Sequence, residues 1–241
     1  MLRKTRGIVL HVTHYAETSI VVKIYTEEFG LQSYLINGVR KQKSKFNNNL
    51  FQSLSLVELV AYHKAGTGLR RVSEISSRPQ FGSIPYDVIK SSVAIFLNEL
   101  IYRSIREEEK NQPLFDFLHN AIRILDLHTV DCSSFHLYFV IQFTRYLGFF
   151  PNGTYYEDES IFNLEEGNFQ LVIPAHPHFL NNQLSKHFYR LMHCSFENYH
   201  LAEINHTQKK ELLTALVTYF ELHHTHGSSL KSHHVLHEVM N

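Results

Sequence analysis

The stretch that decides the fold is residues 7–26, GIVLHVTHYAETSIVVKIYT. Both ends of it are dense in β-branched and aromatic residues, which suit half-buried strands, and a short polar break separates them. Three more segments of this kind follow, at 31–38, 53–62 and 69–75. Five short strands with turns between them, within about 80 residues, predict a small barrel because closure leaves no exposed sheet edge.

An OB-fold is the barrel that this pattern favours, and an SH3-like barrel fits the strand periodicity nearly as well. From Tyr86 onward the apolar residues recur at three- and four-residue steps, which is the spacing of a buried helix face. The sequence therefore predicts an α+β protein with two domains. They are an N-terminal small β-barrel (OB-fold) over 1–81 and a mainly α-helical domain over 82–241, with a short β-hairpin insert at 149–179.

The composition describes a folded chain and excludes several classes of protein. Of the 241 residues, 44% are hydrophobic and 19% are charged, which is enough apolar material for a sizeable core. No apolar run approaches the ~20 residues of a membrane span. The basic start of the chain leads into a strand pattern and not into the apolar core of a signal peptide. Cys132 and Cys194 are too few for a disulfide framework, so we expect a cytoplasmic location.

The net charge of zero is a cancellation between two parts of the chain. Residues 1–81 hold 12 Lys and Arg against 5 Asp and Glu, a charge of +7, and the remainder holds 11 against 18, a charge of −7. Such asymmetry indicates a basic binding module joined to a different kind of domain. Cation clusters bind phosphate backbones because each contact releases condensed counterions. The first 81 residues are therefore the predicted nucleic-acid-binding part.

The candidate DNA-binding residues fall in three groups along this basic segment. They are the cluster Arg40, Lys41, Lys43 and Lys45, the pair Arg70 and Arg71, and the dispersed residues Arg6, Lys4 and Lys23. Aromatic side chains of the same segment could stack on unpaired bases, each worth roughly 1–3 kcal/mol, or fill the barrel interior. Six side chains are candidates for either role: Tyr15, Tyr25, Tyr34, Phe46, Phe51 and Tyr62. We expect most of them in the interior.

Several motifs, taken in order, resemble the bacterial DNA repair protein RecO family. The motifs are GIVL at 7–10, ETS at 17–19, TEEFG at 26–30, NGVR at 37–40, LGFFP at 147–151 and LKS at 230–232. They span nearly the whole chain. The resemblance implies an OB-fold that binds single- and double-stranded DNA, anneals complementary strands and works with RecR and RecF. It also implies that recombinase is loaded onto gaps coated by single-strand-binding protein.

The same resemblance implies docking of the C-terminal tail of single-strand-binding protein and a nucleoid-associated, cytoplasmic location. An acidic tail needs an apolar pocket edged by cations. The candidates on the predicted helices are Arg103, Arg106, Arg123 and Arg145. The negative charge of the helical part argues against a broad basic groove there.

Members of the RecO family commonly hold zinc on four cysteines after the LGFFP-type motif, and this chain has no cysteine in that insert. Zinc needs thiolate or imidazole donors in a closed set, and the insert offers His176 and His178 with no third donor. We therefore expect no metal and no other cofactor. Aromatic residues are expected to form a small apolar core in its place: Tyr155, Tyr156, Phe162 and Phe169. The histidines after residue 222 are expected to form a solvated or partly packed end.

No catalytic motif stands out in the sequence: there is no phosphate-binding P-loop, nucleophile elbow, HExxH or dinucleotide fingerprint. Cys132 and Cys194 have apolar neighbours, and we expect buried thiols. The predicted function is a non-enzymatic mediator of DNA repair and recombination. The alternative is an RNA-binding or protein-interaction scaffold that uses the same basic barrel, because a phosphate-binding loop does not distinguish DNA from RNA. A His-rich metal-binding protein is a third possibility.

Overall fold

The predicted barrel is present at the start of the chain. The computed structural model describes residues 1–39, 48–63, 68–77, 79–127, 132–224 and 230–239. The five strands are β1 (Leu2–His14), β2 (Ile20–Thr26), β3 (Gly30–Ile36), β4 (Leu56–Tyr62) and β5 (Arg70–Ser77). They close in the order β1-β2-β3-β5-β4, in which β3 and β5 run parallel and the other neighbours antiparallel. A closed five-stranded barrel of this connectivity is an OB-fold.

Strand alternation explains the interior of the barrel. Val22 and Ile24 on β2 are fully buried, whereas Lys23 between them is only half-buried and lies on the outer face. Gly7 on β1 allows a close approach, since a Cβ at that position would lie 2.5 Å from Cγ2 of Ile24. The rest of the core is mostly branched or aromatic: Val9, Ile20, Tyr34, Ile36, Val39, Val57, Leu59 and Ala61.

Two compact units alternate along the chain. The first consists of Met1–Tyr86 with Ile105–Asp126, and the second of Asp87–Ser104 with Leu127–Asn241. Helix α1 (Val88–Ser104) thus belongs to the second unit, whereas almost all of helix α2 (Gln112–Leu127) belongs to the first, together with the barrel. The division of the chain into domains at residue 81 stays a prediction.

Within the first unit, the turn between β2 and β3 lies against the segment that precedes α2. Gly30 has a φ of +61°, and a Cβ there would lie 2.6 Å from the carbonyl oxygen of Glu107. The backbone N–H of Leu31 donates to the same carbonyl at 3.0 Å. Phe115 on α2 is fully buried, and its ring lies 6.2 Å from the ring of Tyr25. Only glycine satisfies both the backbone conformation and the close approach at this turn.

The end of α2 also fixes the chain that leaves the barrel. The carboxylate of Asp126 accepts hydrogen bonds from the backbone N–H groups of Gly82, Ser83 and Ile84 at 2.8–2.9 Å. Burial alone would raise the pKa of Asp126, but these three backbone donors outweigh it and lower the pKa. The ionised carboxylate therefore holds the segment after the barrel against α2.

The second unit is mainly helical and contains a small sheet. Its remaining helices are α3 (Phe135–Leu147), α4 (Asn182–Met192), α5 (His206–His223) and α6 (His233–Val239). The predicted hairpin is formed by β6 (Ile161–Asn163) and β7 (Asn168–Gln170), and a third strand, β8 (Phe179–Leu180), pairs with the other side of β6. The α+β prediction is confirmed. No helix in the described part of the chain is long and apolar enough to cross a membrane.

Candidate nucleic-acid interface

The densest predicted cation cluster lies outside the described residues. Arg40, Lys41, Lys43 and Lys45 all fall between residues 39 and 48. The chain is fixed on both sides of this segment, because Val39 is buried in the barrel core and Asn48 begins a short 3-10 helix. The role of these four residues in DNA binding stays a prediction.

The second predicted pair lies where the barrel closes. Tyr34 pairs with Arg70 and Leu35 pairs with Arg71 along the parallel contact of β3 and β5, which we call the β3–β5 seam. Arg71 is exposed, and Arg70 is half-buried with its guanidinium donating to the carbonyl of Gly68 at 3.3 Å. Strand β3 ends at Ile36, four residues before Arg40 in the sequence.

Lys23 lies on the same curved outer surface as Arg71. It pairs with His11 on β1 and with Ser33 on β3, and Arg71 pairs with Leu35, two residues further along β3. Since neighbouring strands are about 4.8 Å apart, the two backbone positions are separated by about 10 Å across the sheet. OB-folds commonly bind oligonucleotides on the face of their second and third strands.

One histidine near the seam lies among positively charged groups. His63, directly after β4, accepts or donates a hydrogen bond at 3.2 Å between Nε2 and Oη of Tyr34. Its pKa is lowered to about 4, first by burial and then by the nearby charges of Arg70, the amino terminus and Arg3. The neighbourhood of this ring is thus cationic, which is the potential that a phosphate group requires.

Two predicted cations have acidic partners instead. Nε and Nη2 of Arg6 donate to the two carboxylate oxygens of Glu27 at 2.8 and 2.7 Å, and Nη2 lies 3.7 Å from Asp116. Its guanidinium also lies 5.3 Å from the ring centre of Phe115. The hydrogen bonds from Arg6 are the main reason that the pKa of Glu27 is lowered to about 2. Lys4 lies 3.1 Å from Glu58.

The structure separates the aromatic candidates into interior and exposed groups. Tyr25 and Tyr34 are buried, and Phe51 packs partly buried against the core. Phe46 lies outside the described residues. Tyr15, in the connection between β1 and β2, is 64% exposed, and Tyr62, at the end of β4, is 49% exposed. Those two positions adjoin the loops with which OB-folds contact oligonucleotides.

The arginines predicted for partner docking are divided between the two units. In the second unit, Arg103 donates to Glu99 at 2.8 Å, and the guanidinium of Arg145 stacks 3.7 Å from the ring centre of Phe150. Arg106 and Arg123 are exposed in the first unit. As docking residues, all four stay predictions.

An apolar cavity with a cationic edge does occur in the second unit, and we call it the α5 pocket. It has a volume of about 200 Å³, and its apolar lining comes from Ile89, Leu213 and Val239. The polar lining comes from Ser133, His136, His206, Lys209, Lys210 and His237. The signal in the sequence was the placement of Lys209 and Lys210 one helical turn before Leu213, on a shared face.

A buried histidine lies in the wall of the α5 pocket. His136 is fully buried, and neither ring nitrogen has a hydrogen-bond partner among the described residues. Its pKa is lowered to about 3, mainly by burial and then by the charges of Lys209 and His237. His136 is therefore a neutral, polar group with hydrogen-bonding capacity to spare.

The small sheet has the aromatic core expected in place of zinc. Phe162 and Phe169 are buried, with ring centres 5.0 Å apart. Tyr155 stacks on Tyr189 at 4.2 Å, whereas Tyr156 is exposed. A carboxylate adjoins the two histidines of this insert: Oε1 of Glu165 lies 2.9 Å from Nδ1 of His178 and 3.4 Å from Nδ1 of His176.

The two cysteines differ in burial. Cys132 is buried, and Cys194 is half-buried. Burial raises the pKa of the Cys194 thiol, which lowers its fraction of reactive thiolate.

The closed five-stranded barrel and the mainly helical unit define the class of protein: a two-unit protein built on an OB-fold. Residues 1–81 match the family model "Recombination protein O N terminal", and residues 85–233 match "Recombination protein O C terminal". The chain belongs to the RecO family of DNA repair and recombination proteins, and the resemblance seen in its motifs is confirmed.

Relatives named DNA repair protein RecO match over the full length. One from Phocaeicola vulgatus is 39% identical over 239 residues, which is 99% of each chain. One from Bacteroides fragilis is 38% identical over 240 residues, again 99% of each chain. One from Flavobacterium psychrophilum is 35% identical over 241 residues, or 98% of each chain.

Proposed function

We propose that this protein is a non-enzymatic recombination mediator that binds single- and double-stranded DNA and anneals complementary strands. In this proposal it acts at the nucleoid with RecR and RecF, and helps to load recombinase onto gaps coated by single-strand-binding protein. The observation that carries the proposal is the cationic surface around the β3–β5 seam of an OB-fold, in a chain of the RecO family.

DNA binding by this surface would rest on phosphates first and on bases second. Arg70, Arg71 and Lys23 lie on or beside the outer face of β2, β3 and β5, and the predicted cluster at 40–45 follows β3 in the sequence. Each phosphate contact gains free energy from counterion release without reading sequence. The exposed rings of Tyr15 and Tyr62 offer flat faces for unpaired bases.

Annealing follows from the same electrostatics. Two complementary strands repel each other through their phosphates, and a cationic surface that holds both lowers this repulsion. Base pairing then supplies the free energy, so that no nucleotide hydrolysis is needed.

The α5 pocket is the docking site that we propose for the acidic tail of single-strand-binding protein. Its apolar lining would receive apolar side chains of the tail, and Lys209 and Lys210 would pair with the tail's carboxylates. The four arginines predicted from sequence lie elsewhere, so the proposal moves the docking site to the start of α5.

A salt titration of binding to single-stranded DNA tests the proposed interface. The variant with Arg40, Lys41, Lys43 and Lys45 changed to Ala should bind more weakly. Its log–log salt slope should fall by about 0.7 for each phosphate that the variant no longer neutralises. Lys186→Ala is the matched control, because it removes a cation that pairs with Glu157 and Asp158 in the second unit. Unchanged affinity and slope in the fourfold variant would remove the 40–45 segment from the interface.

RNA of equal length and complementary DNA strands decide between the mediator and the scaffold. We expect the intact protein to accelerate annealing of complementary DNA strands, measured by fluorescence quenching. Tighter binding to RNA together with no annealing would favour the RNA-binding alternative.

A fluorescent peptide with the acidic, apolar-ended sequence of such a tail tests the α5 pocket. Lys209→Ala with Lys210→Ala should weaken peptide binding about tenfold or more, which corresponds to about 1.4 kcal/mol. Arg103→Ala with Arg145→Ala is the matched control and should leave peptide affinity unchanged. If the arginine variant binds the peptide more weakly and the lysine variant does not, the docking site lies at the arginines.

A further inference from the structure

Three side chains with metal-ligand atoms converge beside the small sheet of the second unit. They are Glu165, in the turn between β6 and β7, and His176 and His178, in the segment before β8. Oε1 of Glu165 lies 2.9 Å from Nδ1 of His178 and 3.4 Å from Nδ1 of His176. Among the residues that the structure describes, no other group of three His, Cys, Asp or Glu side chains comes this close together.

The backbone around these side chains is held by hydrogen bonds. Oδ1 of Asn163 accepts from the N–H groups of Glu165 and Glu166 at 2.9 and 3.1 Å, which fixes the turn. The N–H of Leu164 donates to the carbonyl of His178 at 3.0 Å, which fixes the second segment against the first. The backbone that carries the three side chains is therefore fixed by the fold, and the side chains themselves are partly exposed.

The donor atoms face one another in a way that suits a cation. The N–H of His178 donates to Nδ1 of His176 at 3.2 Å, so this nitrogen is unprotonated and its lone pair accepts that amide. A carboxylate oxygen of Glu165 lies 3.4 Å from the same nitrogen. An ion bound between these two atoms would replace the amide as the partner of the lone pair.

Of the two oxygen–nitrogen distances, one equals the ligand spacing of a zinc site and the other is a shorter, hydrogen-bond distance. Zinc binds nitrogen and oxygen ligands at about 2.0–2.2 Å, so two tetrahedral ligands lie about 3.4 Å apart. Oε1 of Glu165 is 2.9 and 3.4 Å from the two histidine nitrogens. An ion could enter with shifts of a few tenths of an ångström.

We propose that Glu165, His176 and His178 form a binding site for a first-row divalent metal ion of the zinc type. Two imidazoles and one carboxylate select such an ion over Ca²⁺ and Mg²⁺, which prefer oxygen ligands alone. The site differs from a four-cysteine module, because it has three protein ligands and leaves a coordination position for water. Bound metal would join the β6–β7 turn to the chain that leads into β8.

Zinc competition on the full-length, metal-free protein tests this site. We expect one equivalent of Zn²⁺ to be withdrawn from a chromophoric chelator, with affinity lowered at least about tenfold in Glu165→Gln and in His178→Ala. His193→Ala is the matched control, because it removes an exposed histidine at the end of α4. Co²⁺ should give the absorption spectrum of a four- or five-coordinate nitrogen–oxygen site, and this spectrum should disappear in the same two variants.

Two further results decide the outcome. Zn²⁺ should slow hydrogen exchange at the amide of Leu164 in the wild type and not in Glu165→Gln. The glutamine side chain has nearly the same shape, and the fold of the variant is checked by circular dichroism. Zinc binding that persists in the triple variant Glu165→Gln, His176→Ala, His178→Ala would place the ion elsewhere, for example on the histidines after residue 222. That result, or affinity no higher than that of the triple variant, would overturn the proposal.

Discussion

The barrel unit carries positive charge in two regions that differ in their surroundings. Around Arg6, two carboxylates and an aromatic ring contact the guanidinium, and the pKa of Glu27 falls as a result. Around His63, burial and then three nearby positive charges lower the pKa of the imidazole. The first region fastens β1 and the β2–β3 turn to α2, and the second leaves a net positive potential at the surface. The +7 of the first 81 residues thus contains cations with two different roles.

The largest expected effect is a loss of stability at Gly30, in the β2–β3 turn, where the neighbouring backbone leaves no room for a side chain. Gly30→Ala puts a Cβ against the backbone of Glu107 and Glu109 at a positive φ. We expect it to lower the free energy of unfolding by about 3 kcal/mol or more, measured by urea denaturation. Gly68→Ala is the control, because a Cβ at that positive-φ glycine meets no atom within 4 Å. Equal losses in both variants would show that conformational strain, and not contact with the 107–109 segment, is responsible.

Removal of the charge at Arg6 should have the next largest effect, on stability and not on DNA. Arg6→Met keeps an apolar stem near Phe115 but leaves Glu27 half-buried without its main donor. We expect a loss of about 1–2 kcal/mol of unfolding free energy, reduced from the value for a buried pair because the arginine is partly exposed. DNA affinity measured on the folded variant should change little. A drop in the salt slope equal to that of a seam variant would instead make Arg6 a phosphate ligand.

Removal of one cation at the seam should weaken DNA binding modestly. Arg71→Ala should cost about 1 kcal/mol of affinity for single-stranded DNA and lower the log–log salt slope by about 0.7. The unfolding midpoint should be unchanged, because the side chain is exposed. Lys4→Ala is the comparison, since Lys4 pairs with Glu58 on the same barrel. If both variants bind DNA equally well, the seam and the paired cations are not distinguishable as binding residues.

The smallest effect is a pH dependence of stability. The folded-state pKa of Glu27 is about 2, below its unfolded value, so its contribution is complete above pH ~4.5 and is lost as the pH falls toward 2. Wild-type protein should therefore lose more stability between pH 5 and pH 3 than Arg6→Met does, by under about 1 kcal/mol after solvent screening. Parallel urea midpoints for the two proteins across this range would contradict the proposed coupling of Arg6 and Glu27.

The sequence predicts the barrel well because the residues that define each strand and turn are neighbours in the chain. Alternating branched residues at 7–26 define β1 and β2, and the motif glycines mark a close approach at Gly7 and a left-handed turn at Gly30. Tyr25 and Tyr34 lie inside, as expected for most aromatics of a small barrel. The family motifs at 147–151 and 230–232 extend the prediction of family membership to the helical part.

The contacts that were not foreseen join residues far apart in the chain. Glu27 and Asp116 neutralise Arg6 across 21 and 110 positions, and no periodicity connects them. The two residues of β8 are too few to show strand alternation. Glu165 lies beside His176 and His178, more than ten positions away in the sequence, where the N–H of Leu164 bonds the carbonyl of His178. Charge counts locate the basic part of the chain, and the fold decides which cations have acidic partners.

The alternation of the two units along the chain has a consequence for synthesis on the ribosome. The barrel strands are complete once residue 77 has emerged, but Phe115 and Asp126, which belong to the same unit, emerge only after α1 of the other unit has been made. Domains generally fold as units in order of synthesis. The surface of the barrel that packs against α2 therefore stays uncovered while some fifty further residues are translated. A chaperone that meets this chain early would find that surface first.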